Sequence, residues 1–311
     1  MFFPNKPIYL NEPKKKRGGY RFFQAGFFIL LITLCFTAYK NYDYWTFKLL
    51  IAGNYVFEET LEELYADVIG EGGRGYGKDF DKMVMASFTR HLRSLNGDRY
   101  TYLYTPQGYK DSKDAEKADA KLAEFYGLDG ETAYLYIPNV NKDTRKFVAA
   151  NKHELRNYSN LVFDLRGNYG GMLRDFYKIA DLFLEKGAVI GHEKARLGIF
   201  TKDIKSKGNA FFEFENIVIL QDGRTASAAE GLILSLAEYL PNVTLVGETT
   251  FGKGIGQVTL PLTGGYAIRG TVLLLKGPNG ESIHAVGIDP DVYFEGDFDA
   301  AVGEALKIIY S

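Results

Sequence analysis

The stretch NIVILQDGRTASAAEGLILSLAEYLPNVTLVGETTFGKGIGQV, residues 216–258, opens on an apolar β-branched run at 217–220. A turn and a small-residue segment holding Ser227 come next, then an amphipathic helix pattern. A second strand-like run at 243–247 leads into a loop holding Lys253. Strand, helix and strand at this length read as a βαβ unit with parallel strands. Both strands of such a unit end on one edge of the sheet, where ligands sit. Ser227 and Lys253 each fall just past one of those ends, so they can meet across 26 positions of sequence. A serine beside a lysine is a nucleophile with a base, and the stretch reads as a hydrolase site.

Blander readings compete for both residues. A serine ahead of a helix most often only caps it. Residues 247–253, GETTFGK, fit the GxxxxGK phosphate loop and follow a strand. The next residue, however, is Gly254 in place of the Ser or Thr that holds magnesium, and the chain runs on into a strand at 257–260. A phosphate loop needs a helix N-terminus there, so no nucleotide is expected.

Working outward, 132–137 alternates as a strand, and 143–158 reads as a helix that Asp143 caps. A buried strand at 161–165, the Gly-rich turn of DLRGNYGG (164–171) and a helix at 172–185 follow. Paired strands at 258–262 and 266–275 flank a Gly264-Gly265 turn. Alternating strands and helices make the fold class α/β. Ahead of this core, Phe57, Leu61, Leu64, Tyr65 and Val68 form one apolar stripe. Phe80, Met83, Val84, Phe88, Leu92 and Leu95 form another, with a flexible connection at 70–78 between the two. Residues 111–125 are charged and alanine-rich, a solvated helix or linker.

The 311 residues are 46% hydrophobic and 24% charged, the composition of an ordinary globular protein. The N-terminus differs. Phe22 opens an uncharged run of 18 residues ending at Tyr39, long enough to span a bilayer as a helix. Six basic residues and one acidic residue precede it, which by the positive-inside rule keeps the N-terminus cytoplasmic and residues 40–311 outside the cell membrane. No small-x-small cleavage site follows the run, so an uncleaved anchor is favoured over a removed signal peptide. With a net charge of −2, of which residues 1–21 contribute +5, the rest of the chain carries −7. A mildly acidic exported domain does not suit nucleic acid. The basic cluster at 14–17 serves as a topology signal. Cys35 is the one cysteine and permits no intrachain disulfide.

The chain resembles the carboxy-terminal processing, or tail-specific, serine protease family. TASAAE at 225–230 resembles that family's nucleophile segment, and TFGKG at 250–254 its lysine segment. DLRGNYGG at 164–171 and GIDPDV at 287–292 match two more of its segments, and the four stand in the family's order over about 131–292. The resemblance implies a crotonase-like ββα spiral core and a Ser-Lys dyad of Ser227 and Lys253, with Gln257 four residues on. It also implies an oxyanion hole from the N–H groups of Gly170 and Ala228. Protein or peptide substrates outside the cytoplasm follow from it, with no cofactor and no metal. His91, His153, His192 and His284 show no metal spacing, and His284, near the closing motif, is the one positioned to rival Lys253.

The family's PDZ domain has no room here, since only about 25 residues separate Gln107 from Ala133. The expected organisation is a basic tail (1–21), an anchor (22–39), a helical segment (40–110), a charged linker (111–130) and a protease core (131–311). The expected function is a membrane-anchored serine endopeptidase. A catalytically silent relative that binds peptides or scaffolds envelope proteins is the alternative.

Overall fold

The computed structural model describes residues 18–57, 82–118, 121–198, 201–208 and 210–311. A six-stranded sheet carries the second half of the chain. Its order is β11 (Val292–Tyr293), β8 (Val243–Gly247), β7 (Asn216–Gln221), β4 (Asn160–Asp164), β3 (Thr132–Tyr136) and β2 (Glu124–Gly127). All neighbours are parallel except β2, which runs antiparallel at the edge. Every residue of β4 is buried, as suits a parallel strand covered on both faces. One face packs Leu135, Phe163 and Ile219 against α5 (Lys142–Leu155), α6 (Leu173–Ala180) and α7 (Ala228–Tyr239). The other packs Val162, Val218 and Val246 against α8 (Phe298–Ile309).

The βαβ unit of β7, α7 and β8 has the expected parallel register, from Ile217 opposite Val243 to Gln221 opposite Gly247. The α/β class holds. The cap of α5 is one residue pair off the sequence reading. Asn141 Oδ1 accepts from the Asp143 and Thr144 N–H groups, so Asp143 lies inside the helix, not at its cap.

A second, antiparallel sheet is built on β10 (Ala267–Lys276). On one flank it pairs with β1 (Tyr102–Tyr104) and β5 (Val189–Ala195), the latter continuing to β6 (Lys202–Lys205). On the other flank lies β9 (Ile255–Pro261), the expected partner across the Gly264-Gly265 turn. Ile268 and Leu262 of this layer pack against α2 (Tyr42–Phe47), the following turn Lys48–Ala52 and α3 (Lys82–Asn96). Met85, Phe88 and Leu92 are the buried side of α3, whereas Met83 and Leu95, read as part of the stripe, are exposed. Phe80, the stripe from Leu61 to Val68 and the connection at 70–78 lie outside the described residues. Between Gln107 and Ala133 the chain forms α4 (Pro106–Ala118) and β2, so the supposed linker ends in an edge strand.

The uncharged run 22–39 falls in α1 (Gly18–Lys40). Among the described residues no helix is long and apolar enough to cross a membrane.

Candidate active site

The four motifs converge at the ends of the parallel strands. After β7 the chain turns sharply through 222–226, and side-chain hydrogen bonds hold that turn. Thr225 Oγ1 donates to Leu165 O at 2.9 Å, and Asp222 Oδ1 accepts from the Gly167 N–H at 2.9 Å. The Ala226 N–H donates to Asn168 O at 2.8 Å. The nucleophile turn is thereby stitched to the Gly-rich turn after β4. Ser227 then stands at the N-terminus of α7 with φ 58° and ψ −117°, a left-handed backbone that a side chain rarely adopts. Such conformations persist where the surroundings over-determine them, and they cluster at functional sites.

Glu230, fully buried in the first turn of α7, is the centre of the site. Its Oε2 accepts from the Ser227 N–H at 2.7 Å and from the Lys253 N–H at 2.8 Å. Its Oε1 accepts from Thr250 Oγ1 at 2.6 Å and from the Gly252 N–H at 2.7 Å. Four donors satisfy this buried charge. The Phe251 N–H donates to Thr225 O at 2.9 Å, a further bond between the two loops. The closing motif braces the lysine loop from behind. The Ile288 N–H donates to Thr250 Oγ1 at 2.8 Å, and Asp289 Oδ1 accepts from Thr249 Oγ1 at 2.7 Å. Gly287, at φ 85°, is needed here, because a Cβ would fall 2.4 Å from Thr250 O.

Lys253 Nζ lies 4.9 Å from the centroid of the Tyr100 ring. No hydrogen bond joins it to Ser227 Oγ, and it has no ion-pair partner among the described residues. Burial pushes its ammonium group down from the ordinary lysine range. The positive charges of Arg269 and Arg99 add to this, and the negative charge of Glu230 opposes it. Gln257, on β9 opposite Thr271, keeps Nε2 buried without a partner. His284 also has a buried, unpartnered Nδ1, and burial pushes its pKa down. It packs beside Gly254, whose added Cβ would meet the His284 N at 2.8 Å. Among the described residues it makes no hydrogen bond to Ser227.

The predicted oxyanion donors flank Ser227. A Cβ on Gly170, whose φ is 91°, would sit 2.7 Å from Ser227 Cβ and 2.9 Å from the Ala228 N. The Gly170 N–H donates to Asn168 Oδ1 at 2.9 Å, whereas those of Gly171 and Ala228 have no acceptor among the described residues. Asp164 holds the turn through Arg166, which contacts it at 2.6 Å, and does not reach Ser227. The chain after Lys253 is a strand, β9. Among the described residues no group of His, Cys, Asp and Glu is arranged to hold a metal ion.

Glu230, Tyr100 and Arg99 escaped the sequence reading. Glu230 had a signal, because Ser followed three residues later by Glu is capping-box spacing. Arg99 and Tyr100 open RYTYLYTP, residues 99–106, which resembles a short segment of the family, but nothing in that stretch shows that Tyr100 meets the lysine.

The model of Peptidase family S41 matches residues 131–294, which span all four motifs. The "Probable CtpA-like serine protease" of Staphylococcus aureus is 32% identical over 227 residues, covering 70% of this chain and 44% of that protein. The "Carboxy-terminal processing protease CtpA" of Bacillus subtilis is 33% identical over 170 residues, or 54% of this chain and 36% of that protein. The chain thus spans less than half the length of these relatives. Among solved structures, a lipoprotein from Streptococcus agalactiae shares the fold, with a TM-score of 0.56 at 20% identity over 72% of this chain and 80% of that one. The family model covers more than half of the chain, and with the motifs in order around one buried carboxylate, this chain belongs to peptidase family S41.

Proposed function

We propose that this chain is a serine endopeptidase in which Ser227 is the nucleophile and Lys253 the general base. The observation that carries the reading is the shared carboxylate oxygen of Glu230, which ties the backbones of both residues to one point. In the reaction, Lys253 Nζ swings from the Tyr100 ring to Ser227 Oγ and takes its proton as Oγ bonds to the substrate carbonyl carbon. The oxyanion is received by the Ala228 N–H and an N–H of the Gly170–Gly171 turn. The lysine returns the proton to the amine nitrogen as the C–N bond breaks. Water then repeats the sequence on the acyl-enzyme and releases Ser227. Gln257 accepts from the lysine amine and orients it. Burial and the two arginines favour the neutral amine that this chemistry needs.

We also propose that α1 anchors the chain in the cell membrane, with residues 40–311 outside and acting on extracytoplasmic proteins. Phe27, Leu30, Ile32, Leu34 and Phe36 are all more than half exposed on the described part of that helix, and the basic residues precede it. The test compares protein C-termini in the exported proteome of wild-type cells with those of a Ser227→Ala strain. New C-termini confined to the wild type are expected, and identical C-termini in both would overturn the protease reading. Protease added to intact spheroplasts should digest 40–311 and spare an epitope placed before Lys14.

A further inference from the structure

The segment formed by α2 and the turn Lys48–Ala52 is apolar on two sides, and the body of the protein covers only one of them. Phe47, Leu50 and Ile51 are buried in one cluster with Leu262 and Ile268. Tyr42, Trp45 and Leu49, at helical steps of three and four, are exposed, Trp45 and Leu49 by more than half. An open hollow of about 330 Å³ lies on that side, lined by Trp45, Lys48, Leu49, Ala52 and Gly53. A helix that is apolar all round is ordinarily covered all round. The bare face therefore calls for a cover.

Continuity and charge point to a lipid surface. The face begins three residues after Tyr39, an exposed residue that ends the uncharged run of α1. α1 and α2 part at Asn41, whose φ of −103° and ψ of 6° leave the helical region, so α2 need not continue the α1 axis. Lys40 and Lys48 have no ion-pair partner among the described residues. Lys48 Nζ lies 5.4 Å from the Trp45 ring centroid, and Lys40 Nζ lies 4.7 Å from that of Phe36. Asp43 is the one acid between residues 39 and 57, and it is committed within the body. Its carboxylate pairs with Lys82 and accepts from the Thr263 N–H at 2.8 Å. The face thus offers rings and unpaired positive charge, which suit the membrane–water interface and anionic headgroups. The segment is also no free stalk. Tyr42 Oη donates to Pro261 O at 3.1 Å, and Arg196 Nη1 donates to Ala52 O at 2.6 Å.

We propose that the face of Tyr42, Trp45 and Leu49 lies flat in the headgroup layer of an anionic membrane and holds the catalytic body against the bilayer. The inference rests on the proposed anchoring by α1 and is independent of the protease reading. An upright helix would carry Trp45 and Leu49 about 9 and 15 Å beyond Tyr39, past a headgroup layer of about 6 Å. A flat one keeps both inside it.

Trp45 is the one tryptophan of the chain, so its fluorescence reads the depth without a label. The full chain is reconstituted into vesicles of phosphatidylcholine, with or without phosphatidylglycerol, carrying lipids spin-labelled near the headgroup or at mid-chain. Trp45 should lose more emission to the shallow label than to the deep one and should be shielded from acrylamide. Trp45→Phe combined with Leu49→Trp moves the probe along the face, and the shallow label should still quench it. Leu49→Gln should reduce quenching of Trp45 in both membranes, and Lys48→Glu mainly in the anionic one. Emission open to acrylamide and untouched by either label would overturn the docking, as would stronger quenching by the deep label. Shielding from acrylamide and from both labels would overturn it in favour of a second copy of the chain. Alkaline extraction of the same vesicles separates the two readings. A chain that resists extraction with Trp45 unquenched keeps its anchor and loses the docking. A chain that alkali removes, yet whose Trp45 is quenched by the shallow label at neutral pH, docks without an anchor.

Discussion

Ser227 and Lys253 donate their backbone N–H groups to the same oxygen, Glu230 Oε2, at 2.7 and 2.8 Å. The nucleophile and the base are therefore registered through a third residue while their side chains remain apart. Glu230→Gln replaces one acceptor oxygen with an NH₂ group that faces N–H donors. The expected result is a loss of about 1–3 kcal/mol in urea unfolding. A fall in kcat of more than about 10²-fold should accompany it, since misplacement by an ångström costs that much. Retention of near-normal kcat would show that the carboxylate serves stability alone.

Removing the reacting groups tests the dyad directly. Ser227→Ala, Lys253→Ala and the still-charged Lys253→Arg should each cut kcat by on the order of 10⁴-fold or more with thermal unfolding preserved. Gln257→Ala should cost less, because it removes an orienting contact. A normal rate in Lys253→Arg together with loss of activity in His284→Ala would replace the lysine with a histidine.

Activity should depend on pH through Lys253. The amine works as a base only when neutral, so kcat/KM rises with pH through its pKa, which burial, Arg269 and Arg99 hold below the ordinary 10.5. Taking away a neighbouring positive charge makes protonation easier and raises that pKa. Arg269→Gln should therefore shift the acidic limb of the profile to higher pH, while Arg269→Lys leaves it nearer the wild-type position. A limb that moves to lower pH, or stays put in both variants, would detach the arginine from the base.

Gly170→Ala should disable the site through packing. Its Cβ would fall 2.6 Å from Ala226 O and 2.7 Å from Ser227 Cβ, and the backbone there has φ 91°. Strain of this kind costs about 1–3 kcal/mol, read as a lower Tm, together with a loss of kcat as the nucleophile turn is pushed aside. An unchanged kcat would mean that the turn yields freely.

How much of this was legible in the sequence depended on how local each signal is. The strand at 243–247 was read to the residue, because an apolar β-branched run between two turns has few other meanings. The pairing of the βαβ strands followed from length alone. Gly170 was read as an oxyanion donor in a turn and Gly287 only as the start of a motif, and the close approaches that both permit appear in the fold. Asn141 took the cap from Asp143 because either residue type suits that position, and the backbone chose between them. Met83 fell on the wet side of α3 because a 3–4 spacing admits two neighbouring faces. The cationic region around Lys253 was invisible. Arg99 and Arg269 lie far apart in sequence, and the pairing of β1 with β10, with Tyr102 opposite Arg269, brings them to one region.

The unusual backbone of Ser227 sets heat resistance against activity. A side chain at φ 58° and ψ −117° costs the native state energy that the helix, the turn and Glu230 must overcome. A Ser227→Gly variant sheds the Cβ clash of about 1–2 kcal/mol, offset by the greater freedom of glycine in the unfolded chain. Its Tm should equal or exceed that of the active protein, whereas Ser227→Ala, which keeps the Cβ, should not gain. A library randomised at residue 227 and screened for heat resistance alone would therefore favour glycine and lose the nucleophile.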